Sequence, residues 1–454
     1  MKIDAALFER LATYPHAVVS WVDDDGYPMQ TAAFFRGDAL RRVLRLDRTG
    51  VAIPTDRKVN VMVSHIRPQP GTGYDERRYI TLSGSAAARD AGIVFTPMRA
   101  WGWDEADVPF FEYSERSNGQ AQRYMQQLSE EQGREVKPRL SRAWTFILAT
   151  RLPFLSATFV PVLLGIAAAA YAGSFDWWLA LLTVVGAAAI HIGLNVANDV
   201  FDTLSGADDL NVNPTQYSGG SRVIQYGLVT LRQMSTISIT AYVVGGAIGI
   251  YLVISRGSIE LLAIGIAGVL LSVFYTAPPL RLVHRGLGEL TTALGFGPIM
   301  VMGAYVVQTK ELAWEPLVAS IPVAIFVALI LYVNEIPDRG ADAAAGKRTL
   351  VVRWNDRLVT SAFLVAALAA FAVVAIGAIT GVLPRPTLLA LLALPLVPQI
   401  YRGIRAYYSS PYELMATLGK NVQLHALVGV LLLAGYVIAI VADKAFDVQT
   451  ALLS

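Results

Sequence analysis

Hydrophobic and polar positions divide the chain into two regimes. Up to about residue 140 apolar residues are interleaved with polar and charged ones, whereas from Trp144 onward long apolar runs dominate. In the first regime, short segments at 17–22, 28–35, 40–46, 59–64 and 78–84 alternate with a period near two, and an Asp-rich turn with a glycine occupies 23–27. Alternation turns one side of each strand toward a core, and tight turns at this spacing predict a small β-barrel or sandwich. Residues 112–142 are polar, and the helical pattern from Gln120 to Gln132 predicts a linker helix with a solvated face.

The second regime contains nine apolar stretches, at about 146–171, 177–198, 233–254, 259–276, 290–308, 316–335, 358–381, 386–401 and 421–442. Most reach the roughly 20 residues that a bilayer crossing requires, and the eighth is short. The expected fold class is therefore multi-domain: a small soluble β-barrel over 1–111, a helical linker over 112–142, and an all-α membrane domain of nine transmembrane helices over 143–454. The amino terminus lacks the unbroken apolar core of a signal peptide, which predicts a cytoplasmic first domain. The loops after spans two, four, six and eight then lie inside. They carry Arg222, Arg232, Arg281, Arg285, Arg339, Lys347, Arg348, Arg353, Arg357, Arg402, Arg405 and Lys420, against Arg256, Lys310, Arg385 and Lys444 on the other side. The basic bias agrees with that orientation, so a multi-pass cell-membrane protein is expected.

Composition narrows the chemistry. A hydrophobic content of 54% over 454 residues exceeds that of an ordinary soluble protein. The net charge of +2 gives no basis for nucleic acid as a partner. The chain has no cysteine, which excludes disulfides, thiolate metal sites and a cysteine nucleophile.

Two clusters of acids and amides end apolar spans: Asn195-Val-Ala-Asn198-Asp199-Val-Phe-Asp202 after the second, and Asn334-Glu335-Ile-Pro-Asp338-Arg-Gly-Ala-Asp342 after the sixth. Asn198 and Asp202 are spaced i, i+4, as are Asn334, Asp338 and Asp342, so each set projects to one side of its helix. Facing carboxylates suit a hard cation such as magnesium. The same predicted face gathers Tyr275, Arg281, Arg285, Lys347 and Arg348, and acids with cations in one place suit a diphosphate. Alternatively, the acids mark where helices leave the membrane and the basic loops reflect topology alone.

These stretches resemble the UbiA superfamily of membrane prenyltransferases. The first motif of that family is matched by Asn198, Asp199 and Asp202, and the second by Asp338 and Asp342. Within the family the chain is most similar to the 1,4-dihydroxy-2-naphthoate prenyltransferase branch of menaquinone biosynthesis, through Ser205-Gly-Ala-Asp208, Ser218-Gly-Gly-Ser-Arg222, Tyr275-Thr-Ala-Pro-Pro, Arg285-Gly-Leu-Gly-Glu289 and Asp342-Ala-Ala-Ala-Gly-Lys347-Arg348-Thr349-Leu. It departs from other branches in having Gly206 where they place an acid, with Asp208 beyond it, and in Pro337, which is expected to kink its span.

The resemblance implies transfer of an isoprenoid from a polyprenyl diphosphate to an aromatic acceptor. That acceptor would be 1,4-dihydroxy-2-naphthoate, with homogentisate, a hydroxybenzoate or a glycerol-phosphate lipid precursor as alternatives. It further implies Asp199, Asp202, Asp338 and Asp342 as catalytic, and Mg2+ held by Asn198, Asp202, Asp208, Asp338 and Asp342. Asn195, Arg222, Tyr275, Arg281, Arg285, Lys347 and Arg348 would contact diphosphate or acceptor. The amino-terminal segment resembles the split barrel of the pyridoxamine-phosphate oxidase family, which implies an FMN site with Arg57, Lys58 and Arg67 as phosphate ligands. An ion-coupled transporter is the reading from a different class.

Overall fold

Strands form at all five expected segments, 28–35 dividing at Phe34 into two, and Gly92–Asp104 adds a further strand. In the computed structural model, β1 (Ala17–Val22), β2 (Pro28–Ala33), β3 (Phe35–Asp38), β4 (Val43–Leu46), β5 (Lys58–Gln69), β6 (Gly73–Arg89) and β7 (Gly92–Asp104) form one antiparallel sheet in the order β2-β1-β5-β6-β7-β4-β3. The structure describes all residues except 48, 70–72, 90–91, 109–112, 114–122, 124, 135–140, 207–219, 226 and 454. Chain contacts divide it into two units, Met1–Arg139 and Leu140–Ser454.

The first unit buries Val19, Val59, Val61, Ile80, Leu82 and Phe95 from the sheet against Leu7, Phe8 and Leu11 of helix α1 (Ala5–Leu11). The two edge strands, β2 and β3, are separated in sequence by Phe34 alone. Seven flat strands about 4.8 Å apart would set those edges some 29 Å from each other, while one residue spans only about 3.3 Å, so the sheet must roll up. Among the described residues no ladder joins β2 to β3. The expected small barrel is therefore seen as one rolled antiparallel sheet that is not closed among the described residues. Of the predicted linker helix, residues 125–132 are helical, and Gln132 Nε2 donates to the Asp25 carbonyl at the β1–β2 turn (3.0 Å).

The flavin expectation gains no support here. Arg57 is paired with Asp24 (2.8 Å) and Asp56 (3.1 Å), and Arg67 with Glu76 (3.0 Å). Their charges are spent on carboxylates instead of being gathered for a phosphate.

In the second unit, nine of the described helical segments are long and apolar enough to cross a bilayer. The helices are α2 (Arg142–Thr150), α3 (Ser156–Tyr171), α4 (Trp177–Ser205), α5 (Leu231–Arg256), α6 (Ile259–Thr276), α7 (Gly288–Leu294), α8 (Met300–Thr309), α9 (Trp314–Ala344), α10 (Leu350–Arg353), α11 (Asp356–Ile379), α12 (Leu396–Tyr407) and α13 (Pro411–Leu453). The first predicted span, 146–171, is broken in two. Arg151 takes a left-handed conformation (φ 53°, ψ 42°), and Pro153 follows in a short 3₁₀ turn, Leu152–Leu155, that turns the chain into α3. A π-helical turn, Gly295–Ile299, joins α7 to α8 within the fifth span.

Helix α9 is the buried axis of the bundle. Its residues Val323, Phe326, Val327, Tyr332 and Val333 are all at most 4% exposed, and the helix runs unbroken through Pro322 and Pro337. Partners satisfy it from two sides: Tyr332 donates to the Val359 carbonyl of α11 (3.0 Å), and Asn421 of α13 donates to the Leu329 carbonyl (2.8 Å). Backbones approach closely at glycines. A Cβ on Gly165 of α3 would run into the Val301 carbonyl of α8, whereas Gly246 and Gly249 of α5 face open space. Small residues at such crossings let van der Waals contact hold helices in lipid, where the hydrophobic effect cannot.

Gly165→Ala is accordingly expected to lower the thermal unfolding temperature in detergent, with an overpacking cost of about 1–3 kcal/mol. Gly249→Ala is expected to leave it unchanged or raise it, because added helix propensity of roughly 1 kcal/mol meets no clash.

Candidate active site

Two long helices carry the two polar clusters to one end of the bundle. Asp176 caps α4, and Gly206 (φ 74°) ends it, so Asn195, Asn198, Asp199 and Asp202 all sit in its last turns. Asp338 and Asp342 lie in the last two turns of α9, after which Gly346 (φ 76°) reverses the chain and Thr349 caps α10. The short loop between them is pinned by backbone bonds from Lys347 to the Asp342 carbonyl (2.8 Å) and from Arg348 to that of His284 (3.0 Å). These bonds point the Lys347 side chain inward.

There, Lys347 Nζ stands 2.9 Å from Asp202 Oδ1 and 3.5 Å from Asp342 Oδ1, with its side chain 10% exposed. One ammonium thus joins the first cluster to the second. Burial favours the neutral amine, but Asp202 and Asp342 outweigh it and hold Lys347 charged above the ordinary lysine range. Asn198 Nδ2 donates to the other oxygen of Asp202 (3.2 Å), which fixes that carboxylate from its own helix.

Asp199, one residue on, is turned elsewhere. It is 2% exposed, accepts from the Ser221 amide (3.1 Å), and lies 3.9 Å from Arg151 Nη1. It anchors the segment around Ser221 and the break before α3, and does not border the cavity described next. Sequence reasoning missed Arg151; the available signal was a lone arginine two residues before a proline inside an apolar run.

From the acids a cavity of about 960 Å³ runs between α4, α5, α6 and α8. Asn195, Asn198, Asp202, Tyr275, Asp338, Asp342 and Lys347 border its polar end, while Gly246, Gly249, Leu261 and Ile264 border its apolar length. Of the other expected contacts, Arg281, Arg285 and Arg348 are exposed on the loops, and Arg222 is half-buried away from the cavity. Asp208 lies outside the described residues. Two further buried groups went unpredicted. His191, two turns before Asn198, shares a hydrogen bond with the Thr158 hydroxyl at 2.6 Å and meets the Phe296 ring edge-on, and Glu289 lies beside Glu335.

Among the described residues no three carboxylates or imidazoles converge on one point, since Lys347 stands between Asp202 and Asp342. What the site offers a cation is an all-oxygen donor set on two helices. Such a set suits a hard ion whose remaining ligands come from a phosphate-bearing substrate.

The chain is 28% identical over 305 residues to the 2-carboxy-1,4-naphthoquinone phytyltransferase of Synechocystis sp., covering 66% of this chain and 94% of that protein. It is 32% identical over 196 residues to the 1,4-dihydroxy-2-naphthoate octaprenyltransferase of Mycobacterium tuberculosis, covering 43% and 65%. To the octaprenyltransferase of the same description from Bacillus subtilis it is 25% identical over 319 residues, covering 69% and 99%. Residues 158–421, more than half of its length, match the UbiA prenyltransferase family, and the chain belongs to that family.

Proposed function

We propose that this integral membrane protein is a magnesium-dependent prenyltransferase that moves a polyprenyl chain from its allylic diphosphate to 1,4-dihydroxy-2-naphthoate, in menaquinone-type biosynthesis. The observation that carries the reading is the meeting of Asp202 and Asp342 on Lys347 at the polar end of a long apolar cavity. An anionic head and a greasy tail need those two environments joined end to end. Asn198, Asp202, Asp338 and Asp342 would hold magnesium, which when bound neutralises charge on the diphosphate oxygens.

Lys347 provides fixed positive charge where the leaving group gains negative charge. The allylic carbon–oxygen bond breaks with its electron pair going to the diphosphate. The ring carbon bearing the carboxylate then bonds to the allylic carbon, and carbon dioxide leaves with return of its bonding pair to the ring. Tyr275, among the cavity-lining residues, would offer its ring to the transient cation. Gly246 and Gly249 leave room for the isoprenoid along the cavity. Arg281, Arg285, Arg339, Arg348 and Arg353 crowd the end that bears the acids, which supports a cytoplasmic site and a cytoplasmic amino-terminal unit. That unit serves as an accessory module, and its strand and turn pattern supports a split-barrel relationship.

Asp202→Asn and Asp342→Asn are each expected to reduce prenyl transfer by about 100-fold or more in purified membranes supplied with labelled diphosphate, Mg2+ and acceptor. Activity near that of the unaltered protein in both variants would remove the acids from the mechanism.

Lys347→Gln leaves two buried carboxylates without their cation, and breaking such a pair costs about 3–5 kcal/mol. The variant is expected to melt at lower temperature in chelator, with Mg2+ restoring part of the loss. A lysine held above its ordinary range contributes its full stabilisation below the unfolded value and loses it only as pH climbs through the folded one. The melting difference between the two proteins should thus stay constant from pH 6.5 to about 9.

A further inference from the structure

Besides the acids already assigned, two buried glutamates stand close to the cavity's polar end. Glu335 of α9 is 6% exposed and borders the cavity; Glu289 of α7 is 8% exposed and lies beside it. Among the described residues none of their four carboxyl oxygens has a partner within hydrogen-bonding geometry and neither residue is in an ion pair, with the Thr349 hydroxyl and the Leu350 backbone the nearest donors. The groups facing the pair include Tyr275, Tyr332, Asp342, Thr349, the Leu350 backbone and, more distantly, Arg353. Burying one unpartnered polar group costs a few kcal/mol, and placing two acids side by side adds to that cost. Helix packing alone gives no return for it, since an apolar residue would fill either position more favourably.

Among the described residues, what these oxygens lack is a donor within bonding geometry on the cavity side. Under the prenyl-transfer reading, on which this inference rests, the cavity receives three chemistries. The diphosphate is an anion with acceptor oxygens only, which carboxyls repel. The isoprenoid tail has no polar group. The aromatic acceptor alone carries O–H donors. We infer that Glu335, backed by Glu289, accepts hydrogen bonds from the ring hydroxyls of the acceptor. This places the ring at the junction between the Asp202–Lys347–Asp342 cluster and the apolar cavity. A hydroxyl that donates to Glu335 pushes electron density into the ring, so the same contact orients the nucleophile and strengthens it. Glu289 acts through Glu335 as a positioning residue.

The test is equilibrium binding of 1,4-dihydroxynaphthalene and of its dimethyl ether to the purified full chain under anaerobic conditions. The variants are Glu335→Met, Glu335→Gln and Glu289→Gln, with Mn2+ stoichiometry and the affinity for a non-reactive prenyl diphosphate analogue measured alongside. The unaltered protein is expected to prefer the diol by about tenfold or more. Glu335→Met should erase that preference, Glu335→Gln should retain part of it, and Glu289→Gln should reduce it, while analogue affinity and Mn2+ count hold. Equal binding of diol and ether by the unaltered protein would overturn the inference even if no variant folded. So would a preference that survives Glu335→Met, or a loss of bound Mn2+ in that variant, which would make the pair a cation site. Hydroxyl selectivity without any prenyl transfer would count against the transfer reading alone.

Discussion

The bridge from Lys347 to Asp202 and Asp342 is the interaction on which the rest of this site depends. Carboxylates on two different helices, at the end of a bundle, would drive those helices apart unless a cation stood between them. The cation here comes from a loop whose course is set by a left-handed glycine, a helix cap and two backbone bonds, so its position follows from local rules. The same geometry carries a functional implication. Under the proposed function, a diphosphate with its metal would take over both halves of this pairing.

Lipid explains the remainder of the architecture. A polyprenyl substrate shares the solvent of the helices themselves, so a cavity for it needs separation between helices more than polarity. The contrast among glycines shows how the chain achieves this. Gly165 closes α3 onto α8, and Gly246 and Gly249 on α5 are left facing the cavity. Gly245, in the same stretch, packs against Ile190 and Gly186 of α4. A single glycine-rich run therefore serves both a helix contact and a hollow.

How much of this could be read in advance differs by element. The nine apolar stretches and the i, i+4 acids were legible because membrane length and helical period are strong signals, and Asp202, Asp342 and Lys347 do meet. Asp199 shows the limit: one step along the helix rotates a side chain by about 100°, enough to turn it from the cavity toward Arg151 and Ser221. Arg151 itself was hidden within an apolar run whose break depends on a left-handed residue before Pro153. Arg281, Arg285 and Arg348 stand exposed on loops outside the cavity lining, and loop basicity reports topology as readily as ligand binding. In the first unit alternation revealed the strands, while closure of a sheet depends on edge pairing between strands that no periodicity specifies.

The most direct measurement is the release of labelled carbon dioxide from carboxyl-labelled 1,4-dihydroxy-2-naphthoate by the purified full chain, given a polyprenyl diphosphate and Mg2+. The account predicts release matched one for one by prenylated product, stopped by chelator and absent without the diphosphate. Prenylated product with another aromatic acceptor but none with the naphthoate would contradict the assigned acceptor. Absence of transfer to any acceptor would contradict the central claim that this cluster of acids and lysine exists to hold an allylic diphosphate.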